Sequence, residues 1–267
     1  MLSVDSPPRT VHFLVHVPKC AGTTVEWHFR DHLRSRFLWA PRWRNPLRDI
    51  IGNRFPSLDP AALHEIAVVS GHSLSANLAA HFPGAEIREY VLLRDPVGWH
   101  LSMYNYRLER SGGDGPSFVR WYRTVRRNPI SRFLLNRYFG IGVPALYGMS
   151  SAARLACLES RLARFAFVAG LDRTDEMIGT VSEAVGISGQ ARAQNTIPKK
   201  RVQAGDLPSG MINRIRADNR LDQVLFDRWS SRGVSGAPTD APPKLPRLDH
   251  IRHAASDLQS ALLRKLG

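Results

Sequence analysis

The sequence predicts an α/β fold in which helices flank a parallel β-sheet. Apolar, β-branched runs at residues 11–17, 66–70, 87–93 and 165–170 indicate short buried strands. Polar segments and helical periodicity follow these strands, and a repeated strand-loop-helix order is typical of a parallel sheet. The chain has 267 residues, 43% of them hydrophobic, which is enough to bury the core of one such domain.

The helices are predicted from apolar periodicity. They cover about 24–37, most of 97–163, 173–186 and, as one long amphipathic helix, about 208–230. The main domain is therefore predicted over residues 10–232. Residues 233–246 have the Pro- and Gly-rich composition of a linker. Residues 247–267 carry their Leu and Ile side chains on one stripe and predict a C-terminal amphipathic helix. We expect it to dock on the domain, with a dimer contact or a membrane-surface helix as alternatives.

The charge of the chain is strongly positive. Its formal net charge is +14, and its basic residues comprise 32 Arg and 5 Lys. Because Arg binds planar oxyanions with two parallel hydrogen bonds, this excess favours phosphate, sulfate or carboxylate partners. A compositional bias of the genome is the alternative. The two cysteines form no disulfide framework, and no Cys/His cluster has zinc-site spacing. With no leader-like N-terminus and no apolar run of ~18 residues, a soluble, cytoplasmic protein is expected.

The segment after the first strand has the composition of an anion-binding loop. Backbone N–H groups in a tight turn and the positive end of a helix dipole both favour a bound anion there. Small residues let the backbone approach the ligand, and Lys19 adds a mobile charge. A nucleoside-triphosphate loop carries its Lys late, in G-x-x-x-x-G-K-[ST], whereas Lys19 directly follows a proline. The candidate binding residues are Pro18, Lys19, Cys20, Ala21, Gly22, Thr23 and Thr24.

A second candidate anchor follows the strand at 87–93. Arg94 stands at the end of that strand, and Asp95-Pro96 begins a helix on which Ser102 comes about two turns later. The guanidinium fork of Arg94 and the hydroxyl of Ser102 can donate to the same phosphate. Two such anchors predict a ligand with phosphates at both ends, although a strand-end Arg by itself is often only an ion-pair partner.

The two anchors together resemble those of a known enzyme family. The sequence HVPKCAGTT at 16–24 is similar to the H-[IV]-P-K-[TC]-[AG]-G-[ST]-[ST] signature of PAPS-dependent carbohydrate sulfotransferases, in the branch of the uronosyl 2-O-sulfotransferases and their bacterial relatives. Residues 94–104 resemble the family segment R-[DK]-P-x-x-R-x-x-S-x-Y. The resemblance implies a P-loop-like fold and a metal-free O-sulfotransferase. Its donor would be PAPS (3′-phosphoadenosine 5′-phosphosulfate), with the 5′-phosphosulfate on loop 18–24 and the 3′-phosphate on Arg94 and Ser102.

One position departs from the family pattern. Trp99 stands where relatives often have Arg, so that basic contact is either missing or supplied by His100. The departure leaves open a second function, that of a non-catalytic polyanion-binding protein on a sulfotransferase-like fold. A nucleotide kinase of related fold is disfavoured, because the chain lacks the late-loop Lys that such enzymes use.

Two residues are candidates for catalysis. Sulfuryl transfer to a hydroxyl needs a base at the attacking oxygen and positive charge at the leaving phosphate. Lys19 is predicted to supply that charge, by analogy with phosphoryl transfer. For the base we choose His72, which follows the strand at 66–70 in Ser70-Gly71-His72. The 2-O-sulfotransferases carry a similar Gly-His pair, and the resemblance implies that His72 is the base. A strand-end His that only caps a helix or bonds a carbonyl is the alternative.

Three other residues are weaker candidates. His28 and His32 are spaced like metal ligands on the first helix, but they lack a third ligand, so no metal is expected. Cys20 stands at a helix N-terminus, where the pKa of a thiol can fall. We nevertheless predict no catalytic role for Cys20.

Two basic regions complete the candidate surface. In the related enzymes a late loop covers the donor nucleotide, and the resemblance extends this role to Thr196, Lys199, Lys200 and Arg201, with a solvated basic loop as the alternative. Residues 115–158 contain several Arg but no Asp or Glu. Such a surface suits a hydroxyl-bearing acceptor that is a carbohydrate or glycolipid, an acidic glycan included, or contact with an anionic membrane surface. No nucleic-acid-binding motif is found, so no nucleic acid partner is expected.

Overall fold

The computed structural model describes residues 9–40, 60–188 and 202–234. Its strands are β1 (Thr10–Val15), β2 (Phe37–Trp39), β3 (Val68–Gly71), β4 (Glu86–Leu93), β5 (Phe167–Gly170) and β6 (Gly233–Val234). They form one six-stranded sheet in the order β2-β3-β1-β4-β5-β6. The first five strands are parallel, and β6 pairs with β5 in the antiparallel direction. The predicted α/β class with a parallel sheet is therefore confirmed.

Helices connect the strands and cover the sheet. They are α1 (Gly22–Leu33), α2 (Pro60–Glu65), α3 (Pro96–Arg110), α4 (Phe118–Thr124), α5 (Pro129–Arg132), α6 (Val143–Gly148), α7 (Ser151–Leu162), α8 (Thr174–Val185), α9 (Ser209–Asp218) and α10 (Arg220–Trp229). Short 3-10 turns lie at Arg34–Arg36, Ala76–His81, Leu171–Arg173 and Ala204–Asp206, and a π-helical turn at Phe133–Tyr138. Helix α3 starts where the sequence predicts, because Asp95 accepts from Gly98 N at 2.8 Å and Pro96 fits the first helical position.

Strand β1 lies at the centre of the core. Its Leu14 belongs to an apolar cluster with Val25 and Phe29 of α1 and with residues of α8. On the other face, Phe13 and Val15 belong to a cluster with residues of α7 and α10. Because β1 pairs with a neighbour on each edge and is covered on both faces, its apolar run is nearly continuous instead of alternating. The pairing and packing of β1 hold the end of the strand in place, and with it the start of the following loop.

The first helix is shorter than its sequence pattern predicts. The predicted helix reaches residue 37, but α1 ends at Leu33, because Arg34 adopts a left-handed backbone conformation (φ 49°). Phe37 then begins β2, which pairs with β3, and its side chain is buried. Three residues of strand next to a helix give too short a periodic signal to be recognised.

The helix predicted over 208–230 is divided at Asn219 into α9 and α10. Asn219 is fully buried. Its amide donates to Ile215 O at 2.8 Å and to the Tyr122 hydroxyl at 3.1 Å, and its Oδ1 accepts from Asn128 N at 2.8 Å. Two of these three partners lie far away in the sequence, so tertiary contacts and not helix propensity place the break.

The predicted linker and C-terminal helix lie almost entirely outside the described residues. Strand β6 occupies 233–234, the first two positions of the predicted linker, and residues 235–267 fall outside the described ranges. Among the helices of the described ranges, none combines the length and the apolarity needed to cross a membrane.

Candidate active site

A cavity of about 870 Å³ opens where β1, β3 and β4 end. Parallel strands end at one edge of a sheet, and ligands of open α/β folds bind outside that edge. The cavity is lined by predicted site residues from three separate parts of the sequence. They are Pro18, Lys19, Ala21, Gly22, Thr23, Thr24, His72, Arg94 and Ser102. Cys20 is buried beneath the loop and does not line the cavity. Thr196, Lys199, Lys200 and Arg201 lie outside the described residues.

The loop between β1 and α1 turns through two left-handed residues. Lys19 (φ 66°) and Ala21 (φ 57°) adopt this conformation without being glycine, at a cost of roughly 1–2 kcal/mol each. Where left-handed and right-handed backbone conformations alternate along a loop, successive N–H groups point to the same side. Such a loop forms an anion-binding concavity, here at the start of α1. Gly22 lies against the His16 ring, where an added Cβ atom would come within 2.0 Å of His16 Cδ2. The close approach requires glycine at this position.

Two side chains that follow β4 hold this loop by its carbonyl groups. Arg94 Nη1 donates to Lys19 O at 2.9 Å, and Trp99 Nε1 donates to Pro18 O at 2.8 Å. The two predicted anchors are thus in direct contact. Trp99 therefore contributes a hydrogen bond that fixes the loop, and its side chain brings no positive charge.

His100 does not supply the basic contact that Trp99 lacks. Its side chain is fully buried, and its Nε2 lies 3.1 Å from Asn219 Oδ1. Burial lowers the pKa of His100 to about 4, so the ring is neutral at pH 7. His100 also does not line the cavity. The suggestion from the sequence that His100 replaces the missing cation is therefore wrong.

His72 enters the cavity from the end of β3. Gly71 precedes it with a φ of 138°, and a Cβ atom there would come within 2.0 Å of Ala40 O. His72 Nδ1 lies 3.4 Å from His16 O. A carbonyl oxygen only accepts, so Nδ1 is the donor when this long contact is a hydrogen bond. In that tautomer of the neutral ring Nε2 carries the lone pair, as a general base requires.

A carboxyl–imidazole pair, formed by the partly buried Glu26 and the buried His16, lies beside His72. The rings of His16 and His72 are 3.9 Å apart between centroids. His16 Nδ1 lies 2.7 Å from Glu26 Oε1, although the approach is too bent for a hydrogen bond. Glu26 Oε1 is also 3.1 Å from Ser70 Oγ. Glu26, which has no role in the sequence interpretation, therefore contacts the ring that lies against the candidate base.

The remaining candidates of the sequence lie in other surroundings. Burial raises the pKa of the Cys20 thiol to about 12, which keeps it protonated and unreactive. His28 Nε2 lies 3.1 Å from Ser182 Oγ, so His28 packs between α1 and α8. His32 is exposed, and its Nδ1 donates to His28 O of the same helix at 2.7 Å. Within the described ranges, no three His, Cys, Asp or Glu side chains cluster as metal ligands would.

The cavity carries charge of one sign. Its basic lining residues are Lys19, Arg94, Arg107, Arg110 and Arg137, and no Asp or Glu occurs among the lining residues in the described part of the chain. Burial, and then the nearby Arg94, lower the pKa of Lys19. Such a cavity attracts anionic ligands. The sequence interpretation missed Arg107, Arg110 and the neighbouring Tyr106, although the spacing Ser102-Tyr106-Arg110 on one helix face is a signal for two of them.

The arginines of the region at 115–158 lie in two kinds of surroundings. Arg137 lines the cavity, and Arg120, Arg123 and Arg126 are exposed. Arg127 and Arg154 are instead buried. Arg127 Nη1 donates to Tyr122 O at 2.9 Å, and Arg154 Nε donates to Leu146 O at 3.1 Å. Part of this region therefore stabilises the fold and offers no surface to a ligand.

Comparison with solved structures shows a likeness to a sulfotransferase. No family model and no curated protein matches the chain. The crystal structure of a sulfotransferase from Alicyclobacillus acidocaldarius is similar to it, with 16% sequence identity and a TM-score of 0.43, over 82% of this chain and 94% of that one. At such an identity and TM-score the likeness does not establish a function for this chain.

Proposed function

We propose that this protein is a sulfotransferase that moves a sulfuryl group from PAPS to a hydroxyl group of an acceptor. The observation that supports this most is the contact between the two anion anchors. They lie 75 residues apart in the sequence, yet Arg94 Nη1 donates to Lys19 O at 2.9 Å, and both residues line one cavity. A ligand with phosphate groups at two positions, as in PAPS, fits such a pair of anchors.

Each part of the cavity has a role in this proposal. The N–H groups of loop 18–24 and the start of α1 would bind the 5′-phosphosulfate, and Ser102 with Arg94 would bind the 3′-phosphate. The acceptor oxygen attacks sulfur while the bond from sulfur to the 5′-phosphate oxygen breaks. His72 Nε2 takes the hydroxyl proton, and the Lys19 ammonium stabilises the charge on the departing phosphate.

Nucleotide binding by calorimetry tests the donor assignment. We expect adenosine 3′,5′-bisphosphate to bind more tightly than 5′-AMP, which lacks the second phosphate. Ser102→Ala should weaken binding of the bisphosphate by about 10-fold or more, because a hydrogen bond to a charged group is lost. The same change should leave 5′-AMP binding unaltered. Ser209→Ala, at an exposed position on α9, is the matched control.

Three outcomes contradict the donor assignment. These are absence of bisphosphate binding, equal affinity for the two nucleotides, and unchanged bisphosphate affinity in Lys19→Ala and Arg94→Ala. ATP with Mg²⁺ is included as a competitor, and tighter binding of ATP than of the bisphosphate would favour a kinase-like function.

A turnover assay tests catalysis. We propose a carbohydrate or glycolipid acceptor, since the exposed Arg107, Arg110 and Arg137 line the cavity. Incubation with labelled PAPS and a panel of hydroxyl compounds, followed by mass spectrometry, should reveal transfer. His72→Ala should abolish it and leave bisphosphate affinity nearly intact. Bisphosphate binding without transfer to any member of the panel would instead favour the non-catalytic polyanion-binding function.

A further inference from the structure

We propose that Tyr106 is a positioning residue that holds the Lys19 ammonium and the Arg110 guanidinium at the donor-phosphate site before the donor binds. That this site receives a phosphate-bearing donor rests on the function proposed above. The contacts of Tyr106 are independent of that function.

Tyr106 lies in the middle of a stripe along α3. Ser102, Tyr106 and Arg110 are spaced four residues apart, so they share one face of the helix, and all three line the cavity. Arg94 and Gly98 precede them at the same spacing. Tyr106 therefore stands between the Ser102 anchor and the cavity rim, and it is half-buried.

The Tyr106 side chain contacts two cations, and the ring is much closer to Lys19 than to Arg110, whose Cζ lies 5.7 Å from the ring centroid. Lys19 Nζ lies 4.1 Å from the ring centroid, within the range of a cation–π interaction. Arg110 Nη1 donates to the Tyr106 hydroxyl at 2.9 Å. The π-face attracts the ammonium, and the phenol oxygen accepts from the guanidinium.

The need for such a residue follows from the charges around Lys19. Burial and the Arg94 guanidinium both disfavour the charged form of Lys19, whereas Glu109 favours it. A Lys side chain is also flexible, so without a partner in the cavity its ammonium would turn towards solvent. An aromatic ring holds the ammonium without placing a carboxylate beside it, which would compete with an anionic ligand for the same cations. The cavity can thus be preorganised and still remain positive.

The ring and the hydroxyl of Tyr106 can be tested separately by calorimetry with adenosine 3′,5′-bisphosphate. Tyr106→Phe keeps the ring and removes the hydrogen bond from Arg110, whereas Tyr106→Leu removes both the ring and the hydrogen bond. We expect Tyr106→Leu to weaken binding roughly 2- to 30-fold more than Tyr106→Phe does. In a Lys19→Ala background most of the difference between Phe and Leu should disappear, because only the longer contact of the ring with Arg110 remains. An undiminished difference without Lys19, or equal losses in both variants, overturns the proposal.

A second measurement does not depend on the donor. Lys19 is acylated with acetic anhydride in the nucleotide-free protein, and its modification rate is followed by peptide mass spectrometry. We expect the rate to rise several-fold in Tyr106→Leu and to stay at the wild-type value in Tyr106→Phe. Tyr147→Leu, at an exposed tyrosine outside the cavity lining, is the control. Failure of the wild type to bind any nucleotide would reject the proposed function alone, whereas an unchanged Lys19 rate in Tyr106→Leu rejects the role of Tyr106.

Discussion

Gly22→Ala perturbs the donor loop at its most crowded point. An added Cβ atom would lie 2.0 Å from Cδ2 and 2.4 Å from Cγ and Nε2 of His16. Carbon atoms in van der Waals contact are separated by about 3.5–4.0 Å, so the ring or the loop must move by roughly 1.5 Å. The ring has little room to move, because Glu26 Oε1 and the His72 ring lie 2.7 and 3.9 Å away. Overpacking of this kind typically costs about 1–3 kcal/mol.

Differential scanning calorimetry and nucleotide titration check this prediction. The Tm should fall by roughly 2–12 °C, and bisphosphate affinity should fall because the loop backbone is displaced. Gly179→Ala is the matched control, since nothing lies within 4 Å of an added Cβ atom on that face of α8, and it should stabilise the protein by roughly 0.5–1 kcal/mol. His16→Ala combined with Gly22→Ala should cost less than the two single changes together. An unaltered Tm and affinity in Gly22→Ala, or fully additive costs, would refute the reasoning.

Three further predictions concern buried groups. Iodoacetamide near pH 8 should label the partly exposed Cys157 and leave Cys20 unmodified in the native protein, because burial raises the pKa of Cys20 to about 12; rapid labelling of Cys20 would contradict this. Burial raises the pKa of Asp222 from 3.8 to about 6, so the folded state holds this proton more tightly than the unfolded state does. Protonation of Asp222 therefore stabilises the fold fully below pH 3.8, and this contribution is lost as the pH rises through about 6. Asp222→Asn should flatten that part of the free energy of unfolding measured by urea titration, an effect of up to about 3 kcal/mol, and an identical pH dependence in both proteins would argue against it. Glu26→Gln keeps the side-chain shape but removes the carboxyl group beside His16, whose ring lies against His72. Sulfuryl transfer should therefore slow with little change in bisphosphate affinity, whereas equal losses in both would point to a general loss of structure.

The parts of the fold that the sequence predicts are those with local signals. The strand before Pro18, the strand before Arg94 and the helix that starts after Asp95 are marked by apolar runs and by proline. These residues act on their immediate neighbours along the chain, so their effect is visible in a short window. Strand β2 has only three residues and follows a helix directly, and its existence depends on pairing with β3.

The break at Asn219 and the charged neighbours of the candidate site depend on contacts through space. Asn219 separates two helices because Tyr122 and Asn128 bind its side chain, and both lie more than 90 residues away. Glu26 likewise acquires its place beside His16, whose ring lies against His72, only when α1 packs on the sheet. Neither feature alters hydrophobic periodicity, which explains why the pattern of the sequence does not indicate them.

The sequence by itself determined the parallel α/β class, the loop at 18–24 and the positions of Arg94 and His72 after strands, because strand ends and turns are set by local composition. Only the tertiary structure decided that Arg94 binds the carbonyl of Lys19, that Trp99 fastens the loop, that His100 is a neutral core residue and that Tyr106 lies under the Lys19 ammonium. These contacts join residues far apart in the sequence, and His100 contacts Asn219, 119 positions away. Their geometry follows from how helices pack at the edge of the sheet, and no local pattern encodes it.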